Sequence, residues 1–307
     1  MEKLIYPKIE LSDQPTNHKD FILIENELND WINVYCNAAG IDGSLDGHKL
    51  SYFSSRVYNY GSHERVLAVA KVIAFLFIAD DIWDFLDAKL IRIQQRRLVE
   101  IAANDEIIPL SSDNWFEACF SDVWRNISII GKDEWKLRFI ESLENWFKTA
   151  EMEQQFRKFK KVPPLPDYLT IRPYSQGAQF NFAFMEFASN NYLSPKTLSN
   201  TVFHSLQHYA RLVLFATNDL YSHRKEVKKG DVMNIIMVFE KEYGLTAQQA
   251  INKTVDFINE NLKIFESVKK QLTSSLIEEN IEFYVSYLET MIRGNYDFHF
   301  ESKRYYI

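Results

Sequence analysis

The chain has 307 residues, 46% of them hydrophobic and 25% charged, which is the composition of an ordinary globular protein. Its formal net charge is −7, and the sequence contains neither a basic stripe nor a Cys/His finger spacing, so nucleic-acid binding is not supported. The two cysteines carry no motif and indicate a reduced, cytoplasmic setting. No membrane span is expected, because the apolar run that ends at Ala79 is too short and contains Lys71.

Helical periodicity dominates from about residue 17 onward, and no alternating strand pattern of useful length is present. Only 9 glycines and 8 prolines occur, which favours long helices. We expect an irregular segment over 1–18 within one all-α domain that spans 1–307, as either a monomer or a homodimer. The predicted helices are 19–39, 63–87, 89–104, 113–130, 132–161, 167–189, 195–228, 231–242, 246–272 and 275–297.

An acidic motif, ADDIWDF, follows the apolar run VLAVAKVIAFLFIA directly. Asp80 and Asp84 are four residues apart and share one helical face, whereas Asp81 is rotated to a flank. Mg²⁺ takes one or two protein carboxylates together with substrate phosphates and waters, so such a pair suits a metal site. The alternative is a solvated acidic helix end, which is a common surface feature.

A second oxygen-rich motif, NDLYSHRKE, begins at residue 218 and also follows an apolar run. Asn218, Ser222 and Glu226 fall at i, i+4 and i+8, and so form one stripe along a helix. An amide oxygen, a hydroxyl and a carboxylate are three oxygen donors that can hold one Mg²⁺ and leave positions open for phosphate oxygens. The alternative is a polar helix face with an exposed serine.

The two motifs resemble the D-D-x-x-D and N-D-x-x-S-x-x-x-E metal motifs of class I terpene synthases of the single-domain microbial type. Arg172 lies 46 residues before Asn218, where that family has an arginine that senses diphosphate. Arg304 and Tyr305 resemble the family's C-terminal Arg-Tyr pair. The four motifs cover residues 80–305 in the family's order. The resemblance implies an all-α helical barrel or bundle around an apolar, aromatic-lined active-site cavity.

The resemblance also implies a reaction. An isoprenyl diphosphate, with C15 farnesyl diphosphate favoured and C10 or C20 open, would be ionised, and the carbocation cyclised or rearranged to a terpene. Three Mg²⁺ ions, with Mn²⁺ as a substitute, would hold the diphosphate. The implied ligands are Asp80, Asp81 and Asp84 (Asp84 more variably) for two ions, and Asn218, Ser222 and Glu226 for the third. Arg172, Lys225, Arg304 and Tyr305 would bind the diphosphate.

Aromatic side chains near these motifs are candidates for stabilising the carbocation, because aromatic faces attract cations. The predicted substrate-contacting residues are Phe77, Phe180, Phe184 and Phe215, with Phe298 near the C-terminus. Ordinary core packing is the alternative for each. The family's ionisation trigger, four residues after the sensor, corresponds to Gln176 here, with glycine following only at Gly177, so its identity stays open.

Two other functions compete with a terpene synthase. A chain-elongating prenyl diphosphate synthase shares the fold and the first motif, but carries a second aspartate-rich motif where this chain has NDLYSHRKE. A non-catalytic helical isoprenoid-binding protein is the other alternative. His204 and His208 are separated by four residues but lack a third ligand, so we expect surface or structural histidines rather than a zinc site.

Overall fold

The computed structural model describes residues 4–11, 17–40, 49–83, 86, 88–111, 113–275 and 281–302. Over these residues the regular structure is helical and no strand is present, which confirms the all-α prediction. The helices are α1 (Phe21–Ala39), α2 (Leu50–Val57), α3 (His63–Trp83), α4 (Ala88–Ala103), α5 (Trp115–Ser128), α6 (Asp133–Lys158), α7 (Leu165–Ser175), α8 (Ala178–Ser189), α9 (Pro195–Leu198), α10 (Thr201–Lys229), α11 (Ile235–Tyr243), α12 (Ala247–Ser275) and α13 (Glu282–Glu301).

The chain divides into two compact units, and each has its own interior. Unit 1 comprises residues 1–14, 146–179 and 193–307, and unit 2 comprises residues 15–145 and 180–192. The expectation that the whole chain forms one catalytic domain stays a prediction. No helix in the described ranges is both long enough and apolar enough to cross a membrane.

Unit 2 is built around α3, which packs against α1, α2 and α5. An apolar sequence on all sides of a helix indicates burial all round, and the run from Val66 to Ala79 is largely buried. A second part of the interior is aromatic: Trp135 stacks on Phe139 and Phe187, with ring centroids 5.4 and 5.0 Å apart. Polar contacts are also present here, since Trp135 donates from Nε1 to the backbone carbonyl of Ala183 and Arg138 pairs with the buried Glu186.

Unit 1 is built around α10, which packs along α12 and also contacts α7, α11 and α13. Asn200 caps the start of α10, since its side chain accepts from the backbone N–H groups of Val202 and Phe203. Gly230 ends the helix in the left-handed conformation, at φ +71°. The N-terminal segment 4–11 has no regular structure but is tied to this unit, since Gln248 exchanges two 2.9 Å hydrogen bonds with the backbone of Ile5.

Two predicted helices are divided in the structure, and one observed helix was not predicted. The predicted helix 167–189 is two helices, because Gly177 takes φ +84° and interrupts the ladder between α7 and α8. The predicted helix 195–228 is also divided, into the single turn α9 and the long α10. Helix α2 was not predicted, because the helix is short and three of the five side chains that it buries are serines, which do not mark an apolar face.

Candidate functional site

The stripe predicted on α10 is formed as the spacing requires. The hydroxyl of Ser222 donates to Oε1 of Glu226 over 2.8 Å, so the two oxygens are close enough to share one cation. Ser222 is 3% exposed, and Asn218 lies one turn before it on the same helix. Nδ2 of Asn234, which caps α11, donates to Oε2 of Glu226 over 2.7 Å and fixes the carboxylate from its other side.

Asp219, the second residue of the motif, is fully buried and is the central acceptor of the site. Its Oδ1 accepts two hydrogen bonds from Arg172, from Nε at 3.0 Å and from Nη2 at 2.8 Å. Its Oδ2 accepts from the hydroxyl of Tyr168 and from the backbone N–H of Ile235, the latter at 2.9 Å. Asp219 therefore joins α7, α10 and the start of α11 by directional bonds.

Arg172 lies in the last turn of α7, whereas the predicted helix 167–189 had placed it near a helix start. It is 8% exposed, and its Nη2 also donates to Oδ1 of Asn218 over 3.2 Å. Burial opposes its charge, but Asp219 and Glu153 outweigh that effect and hold the pKa of the guanidinium well above its usual range. The predicted sensor arginine is thus a fixed cation in contact with the predicted metal-ligand stripe.

The charged network extends from Arg172 to α6. Oε1 of Glu153 accepts from Nη1 of Arg172 over 3.2 Å and from the hydroxyl of Ser175, while Oε2 pairs with Nη1 of Arg157 at 2.8 Å. Arg157 in turn donates from Nε to both oxygens of Asp231, just after α10. Arg172 is therefore held from two helices and cannot change its position without breaking buried ion pairs.

The donor set on α10 fits a hard divalent cation. Burial raises the pKa of Glu226 to about 7, and the neighbouring Asp219 carboxylate adds to that effect. A cation bound to Glu226 would offset both effects, and amide, hydroxyl and carboxylate oxygens are the ligands that Mg²⁺ prefers. Within the described residues, no cluster of three or more His, Cys, Asp or Glu side chains is suited to a metal. The proposed fit therefore rests on the combination of an amide, a hydroxyl and a carboxylate oxygen.

Two basic groups lie beside the stripe. Lys225 is half-buried on α10 between Ser222 and Glu226. His299 on α13 is buried, and its Nε2 lies 3.1 Å from Nδ2 of Asn218. Burial lowers the pKa of His299 to about 4, and the charge of Lys225 contributes in the same direction. The imidazole is therefore neutral at physiological pH.

The first predicted metal motif and the C-terminal pair fall largely outside the described residues. The backbones of Asp80 and Asp81 belong to the last turn of α3, which ends at Trp83, whereas their side chains lie outside the description. Asp84, Arg304 and Tyr305 lie outside it entirely. The roles predicted for these five residues stay predictions.

The predicted aromatic residues have different environments. Phe77 is half-buried on α3, one turn before Asp80. Phe180 and Phe184 are buried on α8, with their rings 6.3 Å apart. Phe215 is fully buried on α10 and packs its edge against Tyr168 with centroids 5.9 Å apart. The close packing of the buried rings also satisfies the core alternative, so their contact with substrate stays a prediction.

Several residues that organise the site were not predicted from the sequence, namely Asp219, Glu153, Tyr168, Asn234 and His299. Asp219 lies within the motif NDLYSHRKE, directly after Asn218. This position was the only indication in the sequence that Asp219 belongs to the site. The other four lie far from α10 in sequence or on other elements, namely α6, α7, the start of α11 and α13. Only the tertiary fold brings them together.

The chain is similar to known proteins in sequence. Residues 71–264 match the family described as "Terpene synthase family 2, C-terminal metal binding", a range that contains both metal motifs and Arg172. The chain is 24% identical over 265 residues to Sesquiterpene synthase 1 of Postia placenta, covering 86% of this chain and 78% of that protein. It is 25% identical over 316 residues to Germacrene A synthase of Nostoc punctiforme, covering 100% and 97%.

The fold is shared with solved structures. The crystal structure of α-eudesmol synthase superimposes with a TM-score of 0.84 at 17% identity, covering 96% of this chain and 99% of that one. The all-α class I fold expected from the resemblance is thereby confirmed. Because the family's profile matches more than half of the sequence and includes the site on α10, the chain belongs to terpene synthase family 2.

Proposed function

We propose that this protein is a Mg²⁺-dependent sesquiterpene synthase that ionises farnesyl diphosphate and releases a terpene and diphosphate. The observation that carries the proposal is the buried ion pair between Arg172 and Asp219, the residue that follows Asn218 on α10. Through it the Asn218–Ser222–Glu226 stripe lies beside the buried cation of Arg172. The choice of a C15 substrate is supported by relatives that are named as sesquiterpene synthases.

Each side chain of the α10 stripe has a defined task in this proposal. Asn218, Ser222 and Glu226 hold one Mg²⁺, and the first motif, Asp80 with Asp81 and Asp84, holds two more. Bound Mg²⁺ would stabilise the negative charge that develops on the diphosphate as the allylic C–O bond breaks. Asn234 keeps Glu226 in one orientation, so that its Oε1 faces Ser222 before any cation binds.

Arg172 orients the diphosphate. Its guanidinium donates to Asp219 through Nε and Nη2, which fixes the plane of the group. An arginine held in this way needs little rearrangement as charge develops on the leaving group, and such preorganised donors contribute strongly to catalysis. Lys225, Arg304 and Tyr305 provide the remaining contacts to the diphosphate, and Phe77, Phe180 and Phe215 line the substrate's hydrocarbon chain.

A product assay tests the proposal. Purified protein is incubated with C10, C15 and C20 isoprenyl diphosphates and Mg²⁺, and the extract is analysed by gas chromatography–mass spectrometry. We expect a terpene from farnesyl diphosphate, with Mn²⁺ as a substitute metal and no turnover in EDTA. A longer diphosphate formed with isopentenyl diphosphate would instead show a chain-elongating enzyme. Folded protein that yields no product from any substrate would contradict the proposal.

A paired variant tests the metal site on α10. Replacing Asn218 and Ser222 together with Ala removes two of its three oxygen donors, so we expect product formation to fall by more than about 100-fold. Ser205→Ala is the matched control, because Ser205 lies on the same helix and donates only to its own backbone turn at Thr201. Full activity in the double variant would rule out this stripe as a metal site.

A further inference from the structure

The tautomer of His299 follows from two of its hydrogen bonds. Its Nδ1 lies 2.6 Å from the backbone carbonyl of Asn295, one turn earlier on α13. A carbonyl oxygen can only accept, so Nδ1 carries the proton and donates it. Nε2 is then an acceptor, and the group that faces it is Nδ2 of Asn218, at 3.1 Å. The imidazole is 4% exposed, so water does not compete freely for either bond.

These bonds also determine which way the Asn218 amide faces. The NH₂ group donates to Nε2 of His299, and Oδ1 accepts from Nη2 of Arg172 at 3.2 Å. A rotated amide would place its oxygen against the lone pair of Nε2 and its NH₂ group against a guanidinium that can only donate. Both hydrogen bonds would be lost, so the neighbours of Asn218 select one of its two orientations.

We propose that His299 is a positioning residue that holds the Asn218 amide with Oδ1 available to the metal ion. The inference rests on the proposed function, in which Asn218 is a metal ligand. An amide binds a hard cation through its oxygen and not through its nitrogen, so a rotated Asn218 would remove one ligand from the site. His299 acts from α13 and touches neither metal nor substrate.

The first test compares two replacements of similar size. His299→Leu fills the space but offers no acceptor, whereas His299→Gln retains an acceptor oxygen for Asn218 and a donor for Asn295. Binding of Mg²⁺ together with inorganic pyrophosphate is measured by titration calorimetry, which does not depend on turnover. We expect the affinity to fall about tenfold in His299→Leu, comparable to other residues that orient metal ligands, and to stay within about threefold in His299→Gln.

The second test removes the need for orientation. In Asn218→Asp the side chain has two equivalent oxygens and no NH₂ group, so either face of the group can bind a cation. Adding His299→Leu to Asn218→Asp should therefore change the affinity by less than about twofold, although the same replacement costs about tenfold beside Asn218. A role of His299 in packing alone would give the same loss in both backgrounds.

Thermal unfolding of every variant establishes that the compared proteins are folded. If His299→Leu is unstable, His299→Ala replaces it, because alanine also offers no acceptor to Asn218. The inference would be overturned if His299→Leu cost the same affinity with and without Asn218→Asp, or if His299→Leu and His299→Gln caused equal losses. Either result would leave the proposed function intact. No binding of Mg²⁺ and pyrophosphate by the unaltered, folded protein would overturn the proposed function and the inference with it.

Discussion

Two parts of the molecule, one around Asp219 in unit 1 and one around Trp135 in unit 2, are packed in different ways. Around Asp219, unit 1 buries the guanidinium of Arg172 and the carboxylate of Glu153, and ion pairs and hydrogen bonds hold both groups in place. Around Trp135, unit 2 buries stacked and tilted rings, with Phe184 fully enclosed near Phe139 at 5.1 Å between centroids. The first interior specifies the position of individual polar atoms, whereas the second mainly fills volume.

The difference has a physical cause. Buried ionised groups are stable only when every charge has partners in good geometry, so a charged interior tolerates few arrangements. Aromatic packing is less directional, with each pair contributing about 0.5–1.5 kcal/mol beyond its burial. A site that must hold a cation and an arginine ready for a diphosphate therefore benefits from the first kind of interior. We therefore expect a substitution around Asp219 to lower both stability and activity. A substitution around Trp135 should lower stability alone.

The largest effect is expected for Asp219→Ala. It leaves Arg172 without its main partner in a buried environment, and loss of one partner from a buried ion pair costs about 3–5 kcal/mol. We expect the free energy of unfolding, measured by urea titration, to fall by that amount. Product formation should also be lost, because Arg172 would no longer lie beside Asn218.

The control for this variant is Asp256→Ala, since Asp256 is exposed on α12 and its removal should change stability by less than about 0.5 kcal/mol. A similarly small effect of Asp219→Ala would show that the ion pair with Arg172 does not organise unit 1.

A smaller effect is expected for Phe184→Leu in unit 2. The substitution removes ring atoms from a closely packed aromatic interior, which should lower the free energy of unfolding by about 2 kcal/mol. Because the ring packs against Phe139 and Trp135, we expect the ratio of terpene products to stay unchanged. Gas chromatography of the products decides the point. A shifted product ratio would instead show that Phe184 contacts substrate, as the sequence had predicted.

The smallest effect concerns acid stability in unit 1. Burial raises the pKa of Asp231, but Arg157 and two backbone N–H groups more than offset this, so the pKa lies below its usual range. The folded state therefore binds this proton less readily than the unfolded state, whose aspartate pKa is about 3.9. The contribution is fully present above that pKa and is lost as the pH falls through the lower, folded value.

Asp231→Asn tests this contribution. At pH 7 we expect the variant to be less stable than the unaltered protein by about 1 kcal/mol. The difference should shrink as the pH is lowered below about 4, in urea titrations at several pH values. A difference that stays constant down to pH about 3 would show that the Arg157–Asp231 pair does not depend on the charge of Asp231.

Much of the α10 site could be predicted because helical spacing is a local property. Residues at i, i+4 and i+8 share a face whatever surrounds the helix, so Asn218, Ser222 and Glu226 were aligned by their spacing alone. The boundary between α7 and α8 was harder to predict. The sequence alone does not distinguish a glycine that ends a helix from a glycine that is tolerated inside one. Gly177 became a break only through its positive φ.

The sequence alone therefore determined the all-α class, the oxygen-rich stripe on α10 and, by resemblance, the family and the role assigned to Arg172. Only the tertiary structure showed that Asp219 is the shared acceptor of the site and that Glu153 and His299 reach it from α6 and α13. The reason is physical: periodicity fixes which face of a helix a side chain occupies. Partners such as Arg172 and His299, which lie 47 and 81 residues along the chain from the α10 residues they contact, are selected by packing.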